Sequence, residues 1–200
     1  MKSVKHKIAI FASGSGTNAE EIIQYFKSHD KISVSLILSN NPSAFVLKRA
    51  ENHKIPQYVF NRHNFYKERV VDEILKLNGI DFIVLAGFMW LVPERFVKSY
   101  PNKIVNIHPA LLPKYGGKGM YGSFVHEAVV KNKEKESGIT IHWVNEAYDE
   151  GKIIFQARCK VDPDDNADAV ADKVHQLEYE HYPRVIEQVI LEAPWSLIDS

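Results

Sequence analysis

The sequence predicts an α/β fold: a doubly wound, mostly parallel sheet flanked by helices on both faces, with late antiparallel edge strands and a C-terminal helix. Three observations carry this expectation. Short apolar runs rich in β-branched residues recur along the chain: IAIFA at 8–12, SVSLILS at 33–39, DFIVLAG at 81–87 and KIVNIH at 103–108. Between them apolar residues fall three and four apart, as in Ile22, Ile23, Tyr25 and Phe26 and again in Val70, Val71, Ile74, Leu75 and Leu77, which is the period of an amphipathic helix. After residue 137 the alternation gives way to GITIHWV and KIIFQARCKV, two strands joined by the acidic turn NEAYDEG.

Strands that alternate with helices pair in parallel, because each helix carries the chain back across the sheet, and the helices cover both faces. The late pair has only a turn between its strands, so it reads as an antiparallel finish on one edge. DPDDNAD at 162–168 supplies a turn and a helix N-cap. A long helix then runs from about Ala167 to Glu192, with Pro183 expected to kink or interrupt it.

A chain of 200 residues that is 45% hydrophobic suits one domain, here 1–200, and no repeat or linker divides it. Basic and acidic residues balance at 25 each, so no net field attracts a polyanion and no nucleic-acid partner is expected. Cys159 stands alone without a Cys/His cluster of zinc spacing, which fits a cytoplasmic protein without a metal. The first apolar stretch, IAIF, is too short for a signal peptide, and the remaining runs are strand-sized, so no membrane span is expected.

Two places carry candidate chemistry. In FASGSGTNAEEII, residues 11–23, a strand is followed at once by small residues and a helix. Gly14 and Gly16 allow close backbone approach, and the N–H groups of Gly16, Thr17 and Asn18 would face an anion at the helix start. The glycine pattern is incomplete for a dinucleotide, and no Gly-Lys-Ser/Thr follows, so a lone phosphate is the better fit. The same residues would also serve as a plain tight turn with a Ser or Thr cap.

The second place is IVNIHPALLP, residues 104–113, where Asn106 and His108 interrupt an apolar strand. Two apart on a strand, they face one side, at the carboxyl end where doubly wound sheets bind ligands. An amide N–H and an imidazole aimed at one point can hold an oxyanion or move a proton, although a strand-end histidine also serves as ordinary structure. Asp149, in YDEGKII, is the candidate carboxylate partner; as an alternative it caps its own turn. Contact with ionised Asp149 would raise the His108 pKa provided burial does not dominate.

SGSGTN, LAGFM, IVNIHPALLPKYGG and GITIHWVNEAYDEGKII, in that order and spacing, resemble the glycinamide ribonucleotide formyltransferases over nearly the whole chain. The resemblance implies formyl transfer from the co-substrate 10-formyltetrahydrofolate to the amine of 5′-phosphoribosylglycinamide in purine biosynthesis. It places the catalytic set on Asn106, His108 and Asp149. It also puts the ribonucleotide phosphate on Ser15, Gly16, Thr17 and Asn18, with Glu178 near the ribose or glycyl end. The folate would lie along Met89, Trp90, Leu91 and Val92, closed over by 141–149, with Ile141, Asn145 and Tyr148 as contacts. A homodimer is left open.

Two departures from the family pattern stand out. Trp90 replaces an arginine, so a ring that can stack takes the place of a group that pairs with a carboxylate. The segment YGGKGMYGSFVHEA is longer than usual, and of a His-x-His pair only His126 remains, with Phe124 in the other place. Its glycines, 116, 117, 119 and 122, read as a surface loop or a lid over an anion near Lys118. His63, His142 and His175 read as surface or packing residues. Rival expectations are a formyltetrahydrofolate hydrolase, a non-catalytic folate- and phosphate-binding protein, and, less well matched, a tRNA formyltransferase or a dinucleotide enzyme.

Overall fold

The computed structural model describes residues 5–192. Seven strands form a single sheet: β1 (His6–Phe11), β2 (Ile32–Ser39), β3 (Gln57–Val59), β4 (Phe82–Leu85), β5 (Ile104–His108), β6 (Glu136–Trp143) and β7 (Ile153–Lys160). The helices are α1 (Thr17–Phe26), α2 (Phe45–Asn52), α3 (Arg62–Tyr66), α4 (Val70–Leu77), α5 (Glu94–Ser99), α6 (Ser123–Lys131) and α7 (Ala167–Leu191).

The strand order is β3-β2-β1-β4-β5-β6-β7. The pairs from β3 to β5 are parallel, whereas β5–β6 and β6–β7 are antiparallel. The order reverses between β1 and β4, so a crevice opens beyond their carboxyl ends, where the loops on either side diverge.

Alternation along the central strands divides the core into two layers. Ile8, Ile10, Val84, Val105, Ile107, Ile139 and Ile141 pack beneath α1, α2, α6 and α7. Ala9, Phe11, Ile83, Leu85 and Ile104 face the layer of Phe65, Val71, Leu75 and Phe96 from α3, α4 and α5. Tyr182 of α7 is wholly buried, and its hydroxyl donates to the carbonyls of Leu85 and Val105, anchoring α7 to β4 and β5.

The sheet, its antiparallel finish and the flanking helices match the sequence expectation. Three details differ. β3 has only three residues and α3 five, lengths too short to carry a periodic signal. Pro183 neither ends nor interrupts α7, which runs through it for 25 residues. Asn166 caps that helix by accepting from the Ala169 N–H at 2.8 Å, as DPDDNAD suggested.

Candidate active site

Loops after β1, β4 and β5, the 117–122 segment, the 144–149 turn and the inner face of α7 enclose a cavity of about 570 Å³. It lies at the crevice set by the strand order, and its volume is in the ordinary range for a small-molecule site.

At one end sits the turn into α1. Gly16 is the N-cap in a left-handed conformation (φ 68°), and no side chain caps the helix, so the expected Ser or Thr cap is absent. The first-turn amides are therefore left for a ligand, next to the positive end of the helix. A Cβ at Gly16 would lie 2.5 Å from Val46 Cγ2, so packing as well as φ requires glycine. Arg49 on α2 steadies the turn: its Nε donates to the Ser15 carbonyl at 2.9 Å, and it pairs with Glu20, which His53 also contacts.

Glu178, 5% exposed, reaches this end from α7 and accepts from Asn18 Nδ2 at 2.9 Å. Burial pushes its carboxyl up to about 7, against the pull of the Asn18 bond. Near neutral pH it is thus partly protonated and can donate as well as accept.

Asn106 and His108 lie at the cavity centre, on the final residues of β5. His108 is 4% exposed, with Nε2 2.7 Å from the Tyr115 carbonyl and Nδ1 3.5 Å from Asp149 Oδ2. Burial lowers the His108 pKa, outweighing the attraction of Asp149 and the Tyr115 bond. The Asp149 contact does act to raise it, but the condition that burial not dominate is not met, because desolvation of a ring this enclosed is the larger effect.

Asp149 has positive φ (55°) in the turn after β6, a conformation aspartate tolerates better than most residues. Its Oδ1 lies 3.4 Å from Asn106 Nδ2, and its Oδ2 accepts from the Gly117 N–H at 3.1 Å. Burial works to raise its pKa, but His142, the His108 charge and the Gly117 N–H together bring it below the ordinary carboxylate value.

Thr140 braces the chain just beyond β5: its hydroxyl donates to the Ala110 carbonyl at 2.7 Å and accepts from the Leu112 N–H at 3.0 Å. Two residues on, His142 is 2% exposed and touches both Asn106 and Asp149. His175 also lines the cavity. Reading His142 and His175 as surface or packing residues is therefore corrected, whereas His63 is exposed as expected. His126, 3% exposed, lines the same wall; burial and the neighbouring histidines drop its pKa to about 4.

Ser15, Gly16, Thr17, Asn18, Met89, Trp90, Leu91, Val92 and Tyr148 all line the cavity. Two of the residues expected there do not. Ile141 is fully buried beneath α7, because it alternates with Thr140 and His142 and so faces the other side of the sheet. Asn145 instead turns back to accept from the Ala147 N–H at 3.1 Å, shaping the 144–149 turn. Trp90 joins a ring cluster with Phe60, Phe65 and Phe88, and the Arg62 guanidinium lies 4.9 Å from its centroid.

Lys118, Gly119, Met120 and Tyr121 of the glycine-rich segment form part of the wall. Among the described residues no group of three His, Cys, Asp or Glu side chains could hold a metal ion, and no helix is long and apolar enough to cross a membrane.

The chain is similar to known proteins over most of its length. A model of the formyl transferase family matches residues 6–186. The phosphoribosylglycinamide formyltransferase of Bacillus subtilis is 35% identical over 189 residues, covering 92% of this chain and 94% of that protein. The enzyme of the same name from Haemophilus influenzae is 38% identical over 186 residues, covering 90% and 85%. Among solved structures, phosphoribosylglycinamide formyltransferase from Bacillus halodurans superposes with a TM-score of 0.84 at 36% identity, covering 93% of this chain and 96% of that one. With a family model spanning both the α1 turn and the Asn106, His108 and Asp149 cluster, the chain belongs to the formyl transferase family.

Proposed function

We propose that this chain transfers a formyl group from 10-formyltetrahydrofolate to the primary amine of 5′-phosphoribosylglycinamide, a step of purine biosynthesis in the cytoplasm. The observation that carries the reading is the single cavity that joins an uncapped helix turn, a central Asn–His–Asp cluster and an apolar wall. Relatives at 35% and 38% identity that bear the name of this activity, matched over most of their length, support it.

In this reading the ribonucleotide phosphate rests on Ser15, Gly16, Thr17 and Asn18. Glu178 meets the ribose or glycyl end, where its raised pKa limits repulsion between a carboxylate and the phosphate. The pterin-bearing co-substrate lies against Met89, Trp90, Leu91 and Val92, with Tyr148 from the facing turn.

The amine attacks the formyl carbon and charge builds on the formyl oxygen. An amide hydrogen of Asn106 takes part of that charge, and a protonated His108 supplies the opposing positive charge. Asp149, held below the ordinary carboxylate pKa and so ionised at neutral pH, favours that imidazolium and accepts the proton the amine must lose; as the oxyanion collapses, the bond from the formyl carbon to N10 breaks, and N10 leaves as tetrahydrofolate with the proton passed on from Asp149.

The test follows tetrahydrofolate release from 10-formyltetrahydrofolate with and without 5′-phosphoribosylglycinamide. Release that requires the ribonucleotide is expected. Release to water alone would identify a hydrolase, and no release at all would leave a binding protein.

A further inference from the structure

The geometry points to His142 as a positioning residue that fixes the Asn106 side-chain amide, an inference that rests on the proposed formyl transfer for its kinetic consequence. β5 and β6 are antiparallel, and Asn106 and His142 are direct cross-strand partners. Such partners hold their Cβ atoms close, so the imidazole meets the amide without help from any loop.

Hydrogen-bond logic assigns each atom its role. His142 Nδ1 lies 2.8 Å from the Trp143 carbonyl, which can only accept, so Nδ1 carries hydrogen. In the neutral ring Nε2 is then an acceptor; it lies 3.2 Å from Asn106 Nδ2 and 3.5 Å from Asp149 Oδ1, which also only accepts, so the hydrogens between the three groups come from Asn106. The carboxylate of Asp149, 3.4 Å from the same nitrogen, excludes the flipped amide, because Oδ1 would then face a negative oxygen. One amide hydrogen is committed to His142. The other makes only the long contact to Asp149, so it is the one left to serve a developing oxyanion without the amide moving.

Two backbone features serve this arrangement. The β6–β7 register shifts between Ile141 and His142, a bulge of the kind that re-aims a side chain beside a site. A Cβ at Gly151 would lie 1.6 Å from the Trp143 carbonyl oxygen, so only glycine lets the return strand pass the group that sets the His142 tautomer. His142 is only 2% exposed, and its polar bonds all lie within this cluster.

A positional-isomer pair tests the assignment. In His142→Gln the terminal amide oxygen falls near the place of Nε2 and can accept from Asn106; in His142→Asn the amide falls near Nδ1 and cannot. The expected result is a kcat about 10- to 100-fold lower in His142→Asn with KM values little changed, and recovery to within a few-fold of wild type in His142→Gln, since small errors in aim cost this much. Equal losses in both variants, or a loss confined to KM, would overturn it.

The Asn106 side-chain amide signals in a ¹H–¹⁵N spectrum, assigned by their disappearance in Asn106→Ala, give a readout independent of turnover. They should move in His142→Asn and stay near their wild-type positions in His142→Gln; unchanged signals in both would refute the bond. If the wild-type protein formylates nothing, the functional reading fails while this spectrum still decides the positioning.

Discussion

The ring of His108 is held by the carbonyl of Tyr115, 2.7 Å from Nε2, and this bond decides which nitrogen faces Asp149. A carbonyl cannot donate, so Nε2 carries hydrogen in either charge state. Nδ1 then meets the Asp149 carboxylate either as a lone pair, which is repelled, or as N–H⁺, which is attracted. Burial favours the neutral ring and Asp149 the charged one, and the balance leaves the His108 pKa below its ordinary value.

Removing the carboxylate charge takes away the force that favours the imidazolium. In Asp149→Asn the His108 pKa is expected to fall further, and an NMR titration of the ring should show it. If the imidazolium is the active form, activity is lost as pH rises through that pKa. The alkaline loss should therefore begin at lower pH in any residual activity of the variant. A His108 pKa that rises or stays fixed would contradict the coupling.

Asn106→Ala deletes an amide donor from the reacting centre. Loss of one oxyanion donor typically lowers turnover by about 100- to 1,000-fold, with a smaller effect on ground-state binding. Steady-state kinetics with both substrates varied would check this, and near-normal kcat would remove Asn106 from the catalytic set.

Glu178 should cost the fold stability at neutral and alkaline pH. Its carboxyl pKa is raised from 4.5 to about 7, so the folded state binds the proton more tightly than the unfolded state. Stability contributed by the protonated group is complete below the unfolded value and is lost as pH rises from about 4.5 through about 7. The shift corresponds to about 3 kcal/mol. Glu178→Gln keeps an acceptor for Asn18 without the charge, so urea unfolding should show it more stable than wild type at pH 8 by up to roughly that amount. At pH 4.5 most of the difference should vanish, and substrate affinity is expected to weaken.

Gly16→Ala combines two penalties at the α1 turn. The left-handed backbone disfavours any Cβ, and the added methyl overlaps Val46. Together these predict destabilisation of about 2 to 4 kcal/mol, measurable by denaturant unfolding. Val46→Ala in the same chain should not recover the loss, because the Cβ it keeps would still lie 2.6 Å from the added methyl.

Much of the site was legible because its chemistry interrupts apolar patterns. Asn106 and His108 stand out in a buried strand, and SGSGTN stands out between a strand and a helix. His142 interrupts its strand in the same way, yet one histidine in one strand carries no sign of its partner. That partner emerges only from the β5–β6 register, a long-range property set by how the sheet closes. His126 and His175 likewise meet at the cavity from two separate helices. Ile141 shows the converse: the family resemblance puts it at the site, while strand alternation turns it into the core. Short elements such as Gln57–Val59 escape because three residues cannot display a period.

The alternation along β6 has a genetic consequence. Ile139 and Ile141 fill the layer under α7, while Thr140 and His142, between and beside them, brace β5 and Asn106. A one-residue insertion or deletion upstream in the strand would exchange the two sets, driving polar groups into the core and isoleucines into the reaction chamber. Core and chemistry thus share a reading frame: a slip of this strand would cost the packing and the reaction together.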